Sequence, residues 1–219
     1  MPLAPIRGII FDLDGTLADT MPLGLAGFAH VFARFANRPV SHEEIVSLLG
    51  PTEEGTIRRV VSDHWEEALE AYLAFYERKH ASLGRPIAGI DSLLEWLASR
   101  DLRLAIVTGK GPRSGEITLR VLGLGRHIDD VRYGSPLGSI KPRAIAEILA
   151  EWKVPGDSVA YVGDMASDMQ AALTAGARPL GAAWSTGVDR AALVAAGAEQ
   201  VFAAPLELRD WLIAANGWA

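Results

Sequence analysis

The stretch Ile9-Ile10-Phe11-Asp12-Leu13-Asp14-Gly15-Thr16-Leu17 decides the fold. An apolar run that ends in Asp-x-Asp-Gly predicts a buried strand that breaks into a turn. Asp12 and Asp14 then lie at the carboxyl end of that strand, where open α/β sheets bind ligands. One carboxylate of such a pair can attack or hold a metal while the other moves a proton. An isolated Asp-x-Asp is better interpreted as an acidic turn, but three later polar clusters decide against that reading.

The composition is that of an ordinary globular chain of 219 residues, 49% of them apolar and 22% charged. This length suits one domain or a domain with an insertion. The net charge of −6 gives no electrostatic reason to expect nucleic acid or an anionic membrane as partner. Cysteine is absent, which excludes disulfides and thiolate sites. The start is not signal-like and no apolar run approaches the ~18 residues that span a bilayer, so we expect a cytoplasmic protein by default.

Strand and helix patterns alternate through most of the chain. Strands are predicted at 6–11, 104–107, 131–134, 158–162, 179–182 and 200–202. Helices are predicted near 91–100, 113–123, 142–153 and 165–176, with a last helix from about residue 205. This alternation predicts right-handed crossovers and a doubly wound parallel sheet of the α/β class.

Residues 16–85 interrupt the alternation, because their pattern is helical and contains no convincing strand. Ser41-His42-Glu43-Glu44, for example, is a capping box that begins a helix. We therefore predict an α/β core formed by residues 1–17 and 86–219, with an all-helical insertion at 18–85. The insertion leaves from the turn that carries the two acids, so we expect it to cover the site as a lid.

Two later loops offer groups that suit a phosphate. Strand 104–107 is followed by Thr108 and Gly109, which provide a hydroxyl and unobstructed backbone N–H groups. Lys141-Pro142 opens the helix after the next strand, since proline suits the first helical turn. A cation at that end of the helix dipole is unfavourable unless an anion shares the site. We therefore expect Lys141 to face an anion.

Further acids follow the fourth strand of this series. It ends in Gly163-Asp164, and Asp168 lies at or near the first turn of the next helix. Helix capping would explain either acid alone. However, Asp12, Asp14 and Asp164 at one sheet edge would repel strongly unless a cation lies among them. Hard carboxylate oxygens without histidine or thiolate neighbours favour Mg²⁺ over zinc.

Together these motifs resemble the haloacid dehalogenase superfamily, in particular its phosphatases with a helical cap inserted after the first strand. The resemblance covers essentially the whole chain, and its four motifs occur in order: Asp12 to Thr16, Thr108, Lys141-Pro142, and Gly163-Asp164 to Asp168. The second acid separates this chain from members that cleave carbon–halogen bonds, because a halide needs no proton to leave. Gly109 and Ala144 depart from many capped relatives, which have asparagine and proline there.

The resemblance implies how the phosphoryl group is transferred. Asp12 would attack phosphorus and form an aspartyl phosphate. Asp14 would protonate the leaving oxygen and then activate the water that hydrolyses the intermediate. Thr108 and Lys141 would hold the phosphoryl group in both steps.

The resemblance also implies a metal site. Mg²⁺ would be bound by the carboxylates of Asp12 and Asp164 and by the backbone carbonyl of Asp14. Asp168 would orient metal-bound water or Lys141 from behind.

The cap sets specificity in this superfamily, and its loop 49–54 points to Gly50 and Thr52 as substrate-facing. Arg58 could face a substrate carboxylate, as a glycolate phosphate requires, but a solvated basic face shared with Arg59 explains it equally well. Length and cap type resemble phosphoglycolate phosphatases. The expected partner is thus a small phosphorylated metabolite, and the expected assembly a monomer or homodimer.

Other functions stay open. A mutase of the beta-phosphoglucomutase type shares all four motifs, and a non-catalytic phosphate-binding or regulatory protein would keep the fold without turnover. A phosphonoacetaldehyde hydrolase is disfavoured, because Lys79, the only lysine of the insertion, lies late in its last helix. Trp184 could border the pocket or simply pack.

Overall fold

The computed structural model describes residues 4–218. Its strands are β1 (Gly8–Phe11), β2 (Ala18–Asp19), β3 (Arg85–Pro86), β4 (Arg103–Val107), β5 (Asp130–Arg132), β6 (Val159–Gly163), β7 (Arg178–Ala182) and β8 (Gln200–Phe202). Its helices are α1 (Met21–Phe35), α2 (His42–Ser47), α3 (Glu53–Val60), α4 (Trp65–Leu83), α5 (Ile90–Ala98), α6 (Pro112–Leu122), α7 (Lys141–Trp152), α8 (Ala166–Ala175), α9 (Arg190–Ala195) and α10 (Pro205–Asn216).

Six strands form one parallel sheet in the order β5-β4-β1-β6-β7-β8, which confirms the predicted doubly wound α/β fold. Successive side chains of the central strand point to opposite faces. Ile9 and Phe11 pack in the same apolar cluster as residues of α5 and α10, whereas Ile10 packs with α7 and α8. Burial on both faces explains why β1 reads as a continuous apolar run.

The strand register places the first acid at the crevice of the sheet. Phe11, the last residue of β1, pairs with Ile106 of β4 and Val162 of β6. Asp12 therefore emerges between the carboxyl ends of two neighbouring strands. The order of connections reverses at β1, and such a switch point is where open α/β sheets bind ligands.

Helices α1 to α4 form a bundle around an apolar cluster that includes Phe28, Tyr72 and Tyr76, and Ile117 of α6 packs in the same cluster. The two chain connections to this bundle pair with each other as the antiparallel strands β2 and β3. The prediction that residues 16–85 contain no strand is therefore wrong at 18–19 and at Arg85. A two-residue strand contains too few side chains to show an alternating pattern, so the sequence gives no signal for it.

Two other details differ from the sequence-based expectation. Strand β5 ends at Arg132, two residues before the predicted end, because the backbone N–H of Gly134 instead donates to Lys110 O at 2.8 Å. Helix α9 was not predicted, and Leu193, its one fully buried residue, packs against Met169. Within residues 4–218 no helix is both long and apolar enough to cross a bilayer.

A buried polar contact joins the bundle to α6. The Thr118 hydroxyl of α6 lies 2.8 Å from the Tyr76 hydroxyl and 3.1 Å from His80 Nε2, both on α4. His80 is fully buried, and its Nδ1 has no hydrogen-bond partner among the described residues. Burial, and then the nearby Lys110 ammonium, lowers the pKa of His80 from its ordinary value.

The buried histidine predicts an acid-sensitive fold. Because its pKa is lower in the folded than in the unfolded protein, the unfolded state binds the proton more readily. The contribution of His80 to the free energy of unfolding should therefore fall as pH drops through about 6.5. Asp164, whose pKa burial raises to about 7, contributes alike in both proteins, so acidification should favour the folded state less in the wild type than in His80→Gln. Urea unfolding at pH 7.5 and 5.5 measures this, with exposed His42→Gln as control. Equal changes in the wild type and His80→Gln would contradict the assignment.

Candidate active site

Asp12 is a buried carboxylate that is only partly satisfied. It is 5% exposed, and its backbone N–H donates to Val162 O at 2.8 Å. Its Oδ2 lies 3.1 Å from Lys141 Nζ, whereas its Oδ1 has no hydrogen-bond partner among residues 4–218. Burial raises the pKa of Asp12 well above its usual value; Lys141 opposes this, and Asp168 and Asp164 add to it. Such a group requires a further positive charge to be ionised.

Lys141 is held at the first residue of α7 by a buried carboxylate. Its Nζ lies 2.6 Å from Asp168 Oδ1, and the other Asp168 oxygen accepts from Met165 N at 3.0 Å. The Tyr161 hydroxyl, 3.4 Å from Asp168 Oδ1, donates to Val107 O at 3.0 Å. Burial alone would lower the pKa of Lys141, but Asp12, Tyr161 and Asp168 raise it well above the usual lysine value. Lys141 is therefore a fixed ammonium aimed at Asp12.

Asp164 follows β6 and approaches the turn after β1. Thr16 Oγ1 donates to Asp164 Oδ1 at 3.4 Å. Burial, and then the Asp168 carboxylate, raises the pKa of Asp164 to about 7. Gly15 has a φ of +78°, and a Cβ there would lie 2.2 Å from Asp164 Oδ2. Only glycine both adopts that backbone conformation readily and lets Asp164 approach the turn this closely.

Three carboxylates converge in a manner that suits a divalent cation. Asp12, Asp164 and Asp168 each offer an oxygen, and these atoms lie within 4.8 Å of one another. Both oxygens of Asp168 are already engaged by Lys141 and Met165 N, which leaves Asp12 Oδ1 and Asp164 as the available ligands. A hard oxygen donor set with an unpartnered buried oxygen fits a cation such as Mg²⁺.

Asp14 lies two residues beyond Asp12 and is half-buried. Its Oδ1 accepts a hydrogen bond from Thr20 Oγ1 and lies 3.4 Å from Lys110 Nζ. No hydrogen bond to its Oδ2 occurs within the described part of the chain. Asp14 is thus fixed through one oxygen, and the other is available for proton transfer.

The loop after β4 places Thr108 beside the acids. Thr108 is 1% exposed, and its Oγ1 accepts from Lys110 N at 3.2 Å, which leaves its own hydrogen available to donate. Gly109 is packed closely, since its carbonyl oxygen would lie 2.1 Å from a Cβ added at Gly134. The structure therefore brings the predicted Thr108, Gly109 and Lys141 to one edge of the sheet with Asp12.

The three residues predicted to set specificity lie at different distances from the site. Gly50 reaches the edge of the site, because its carbonyl oxygen lies 4.0 Å from a Cβ built at Gly109. Thr52 is buried at the start of α3, where its backbone N–H donates to Ser135 O at 3.2 Å. For Arg58 the sequence left two positions open, one facing a substrate carboxylate and one on a solvated basic face.

Arg58 lies on the outer face of α3. Its guanidinium pairs with Glu54 at 3.1 Å, one helical turn earlier, and stacks 3.7 Å from the Trp65 ring centre. Arg59 is exposed as well. The solvated basic face, which the sequence allowed as the alternative, is the one found.

Several residues at the site were missed or left undecided by the sequence. Glu53 binds the buried Lys110 at 3.2 Å, and Lys110 was not singled out although it directly follows the Thr-Gly pair. Trp184 Nε1 donates to Thr16 O at 2.9 Å, and Ser185 Oγ donates to Gly15 O at 2.7 Å. Trp184 and Ser185 thus hold the turn that carries Asp12 and Asp14 through its backbone carbonyls. Of the two roles open to Trp184, packing rather than bordering the pocket fits these contacts. The position of Trp184 and Ser185 just after β7 was the only available signal.

Comparisons with known proteins agree with this geometry. The family model for haloacid dehalogenase-like hydrolases matches residues 9–182. The chain is 30% identical over 210 residues to a phosphoglycolate phosphatase of Synechococcus elongatus, covering 93% of this chain and 95% of that protein. It is 27% identical over 186 residues to the pyrophosphatase PpaX of Bacillus velezensis, covering 82% and 84%. The haloacid dehalogenase-like hydrolase SP0104 of Streptococcus pneumoniae superposes with a TM-score of 0.75 and 26% identity, covering 94% and 98%.

Proposed function

The chain belongs to the haloacid dehalogenase-like hydrolase family, and we propose that it is a Mg²⁺-dependent phosphatase of small phosphate monoesters. One observation carries the proposal. Asp12 is a buried carboxylate with one oxygen against Lys141 and the other unpartnered among the described residues, and Asp14 stands two residues away. This arrangement supports a nucleophile next to an acid–base group, which are the two parts that hydrolysis through a covalent intermediate requires.

The reaction divides into two displacements at phosphorus. In the first, an oxygen of Asp12 forms a bond to phosphorus, the ester P–O bond breaks, and Asp14 gives its proton to the departing oxygen. In the second, water attacks phosphorus while Asp14 takes its proton, and the bond to Asp12 breaks. Phosphate and the unmodified aspartate result. Splitting the reaction matters because phosphate monoesters can require accelerations up to ~10²¹-fold.

The surrounding groups supply positive charge and fixed donors. Lys141 and the Thr108 hydroxyl would contact the phosphoryl oxygens, with backbone N–H groups near Gly109 beside them. Asp12 Oδ1, an Asp164 oxygen and the Asp14 carbonyl would hold the metal, and Asp168 would orient Lys141. When bound, Mg²⁺ supplies charge neutralisation for the transferring group.

We propose that residues 18–85 act as a cap over a core of residues 1–17 and 86–219. The support is the position of the bundle: the carbonyl oxygen of its Gly50 lies 4.0 Å from a Cβ built at Gly109, in the loop after β4. Gly50 and Thr52 would then limit the size of the leaving group. The named relatives act on phosphoglycolate and pyrophosphate, which favours a small substrate. Because Arg58 faces outward, it would not select a substrate carboxylate.

A metal-dependent assay tests the function. The purified protein should hydrolyse p-nitrophenyl phosphate with Mg²⁺ and lose this activity with EDTA, because burial and mutual repulsion disfavour the ionised forms of Asp12 and Asp164 and the cation offsets both. Acid quenching during turnover should trap phosphate on Asp12, located by mass spectrometry of peptides. Water as the final acceptor would support a phosphatase, whereas transfer to a sugar phosphate would indicate a mutase. No turnover at any Mg²⁺ or Mn²⁺ concentration would contradict the proposal and favour a phosphate-binding protein.

A further inference from the structure

Glu53 connects the helical bundle to the loop beside the reacting acids. It lies in the first turn of α3, is 7% exposed, and accepts from three groups that surround the start of α6. The distances are 2.8 Å to Gly111 N, 2.6 Å to Ser114 Oγ and 3.2 Å to Lys110 Nζ. Gly111 is the N-cap of α6 and has no side chain to accept from the first turn. Glu53 instead accepts from the backbone N–H of the N-cap itself and from the Ser114 hydroxyl, and its negative charge lies at the N-terminal end of the α6 dipole.

Lys110 lies between two carboxylates, one from each part of the protein. Its side chain is 5% exposed, with Nζ 3.2 Å from Glu53 and 3.4 Å from Asp14 Oδ1. The Tyr76 ring covers the ammonium at 4.6 Å. Burial alone would lower the pKa of Lys110, but Asp14, Tyr76 and Glu53 raise it well above the usual lysine value. The ammonium is therefore charged, and it is shared between Glu53 and Asp14.

That sharing decides how Asp14 is held. Thr20 and Lys110 both contact Oδ1 of Asp14, which leaves Oδ2 without a hydrogen bond in the described residues. Without Glu53, a buried ammonium has one carboxylate left to satisfy it. Lys110 would then move onto Asp14 and compete for the oxygen that has to face the leaving group.

We propose that the Glu53–Lys110 pair is a positioning device, which orients Asp14 for proton donation when the bundle is seated on α6. This inference rests on the proposed role of Asp14 as the acid. Glu53 and Lys110 are positioning residues in this scheme, since they act through Asp14. The bundle thereby contributes to the chemical step a contact that the sheet does not supply by itself.

Leaving-group dependence separates positioning of the acid from a merely structural role. An alkyl phosphate needs a proton on its departing oxygen, whereas 2,4-dinitrophenolate leaves as a stabilised anion. The parameter to compare is kcat/KM, which covers the steps up to departure of the leaving group. General acid catalysis contributes about 10²–10⁴-fold, so kcat/KM of Glu53→Gln for the alkyl phosphate should fall by about 10-fold or more when Asp14 is misdirected. For 2,4-dinitrophenyl phosphate, kcat/KM of Glu53→Gln should fall by about 2-fold or less.

A second variant displaces Glu53 without changing any charge. A Cβ at Gly111 would lie 2.7 Å from Glu53 Oε2, the far end of a flexible side chain, and the φ of −68° accepts alanine. Gly111→Ala should therefore fold and reproduce the pattern of Glu53→Gln. Glu54→Gln is the matched control, because the adjacent glutamate makes the same chemical change on the outer face, paired with Arg58.

The outcomes are distinct. Selective loss on the alkyl substrate in Glu53→Gln and Gly111→Ala, with Glu54→Gln unchanged on both, supports the proposal. Equal losses on both substrates, or no loss on either, overturn it. If Glu53→Gln does not fold by circular dichroism, Gly111→Ala decides. Failure of the proposed function would instead appear as absent turnover of both esters by the wild type, or as undiminished turnover after Asp12→Asn.

Discussion

Replacing Asp12 by asparagine is expected to lower turnover on the order of 10⁴- to 10⁶-fold, the range spanned when single members of a catalytic triad are removed. The amide is nearly isosteric with the carboxylate, but it cannot form the acyl phosphate on which both displacements depend. Turnover and trapping of labelled phosphate should disappear together. The measurement is steady-state hydrolysis combined with mass spectrometry of acid-quenched protein, which also detects any asparagine that has deamidated back to aspartate.

The same substitution should leave the fold intact. Asp12 is buried near Asp168 and Asp164, so removal of its charge relieves repulsion at the cost of one contact to Lys141. We expect the free energy of unfolding without metal to be unchanged or slightly higher. Asp101→Asn, at an exposed position, serves as the control for the chemical change. Full-speed hydrolysis by verified Asp12→Asn protein would rule out the covalent mechanism.

The sheet and its reacting edge were predictable from the sequence because their signals are local. An apolar run followed by Asp-x-Asp-Gly can hardly be anything but a buried strand and a turn, and proline after Lys141 fixes a helix start. Parallel strands then bring their carboxyl ends to one edge, so separate motifs meet without any knowledge of side-chain contacts. The acids and Lys141 were located by this reasoning.

The contacts between the bundle and the sheet could not be predicted in the same way. Glu53 and Lys110 are 57 positions apart, and no periodicity records that one faces the other. The two positions open to Arg58 could not be told apart for a related reason: α3 has eight residues, too few to show which of its faces turns inward.

Tyr161 illustrates a third limit. In the sequence it is one apolar residue of a predicted strand, and in the structure it is fully buried, as expected. Its hydroxyl nevertheless donates to Val107 O of the neighbouring strand and lies 3.4 Å from Asp168 Oδ1, next to the partner of Lys141. Burial could be predicted from the pattern, whereas the destination of one polar atom depends on the position of the neighbouring strand.

Replacing Lys141 by methionine is expected to damage both catalysis and stability. Loss of one fixed charge-stabilising donor typically lowers kcat by about 10²–10³-fold. The substitution also leaves Asp12 and the fully buried Asp168 without their ammonium. Breaking a buried ion pair from one side costs about 3–5 kcal/mol, so the free energy of unfolding should fall by that order. Steady-state kinetics and urea unfolding measure the two effects.

A double variant separates these effects, because stability and turnover depend on Lys141 for different reasons. In Lys141→Met with Asp168→Asn, the stranded buried charge is removed, so most of the lost stability should return. Turnover should not return, since no ammonium then faces the phosphoryl group. Added Mg²⁺ should stabilise Lys141→Met more than the wild type, because the cation binds a folded state with excess negative charge. Unchanged unfolding of Lys141→Met, or recovery of turnover in the double variant, would show that Lys141 is not the counter-charge of this site.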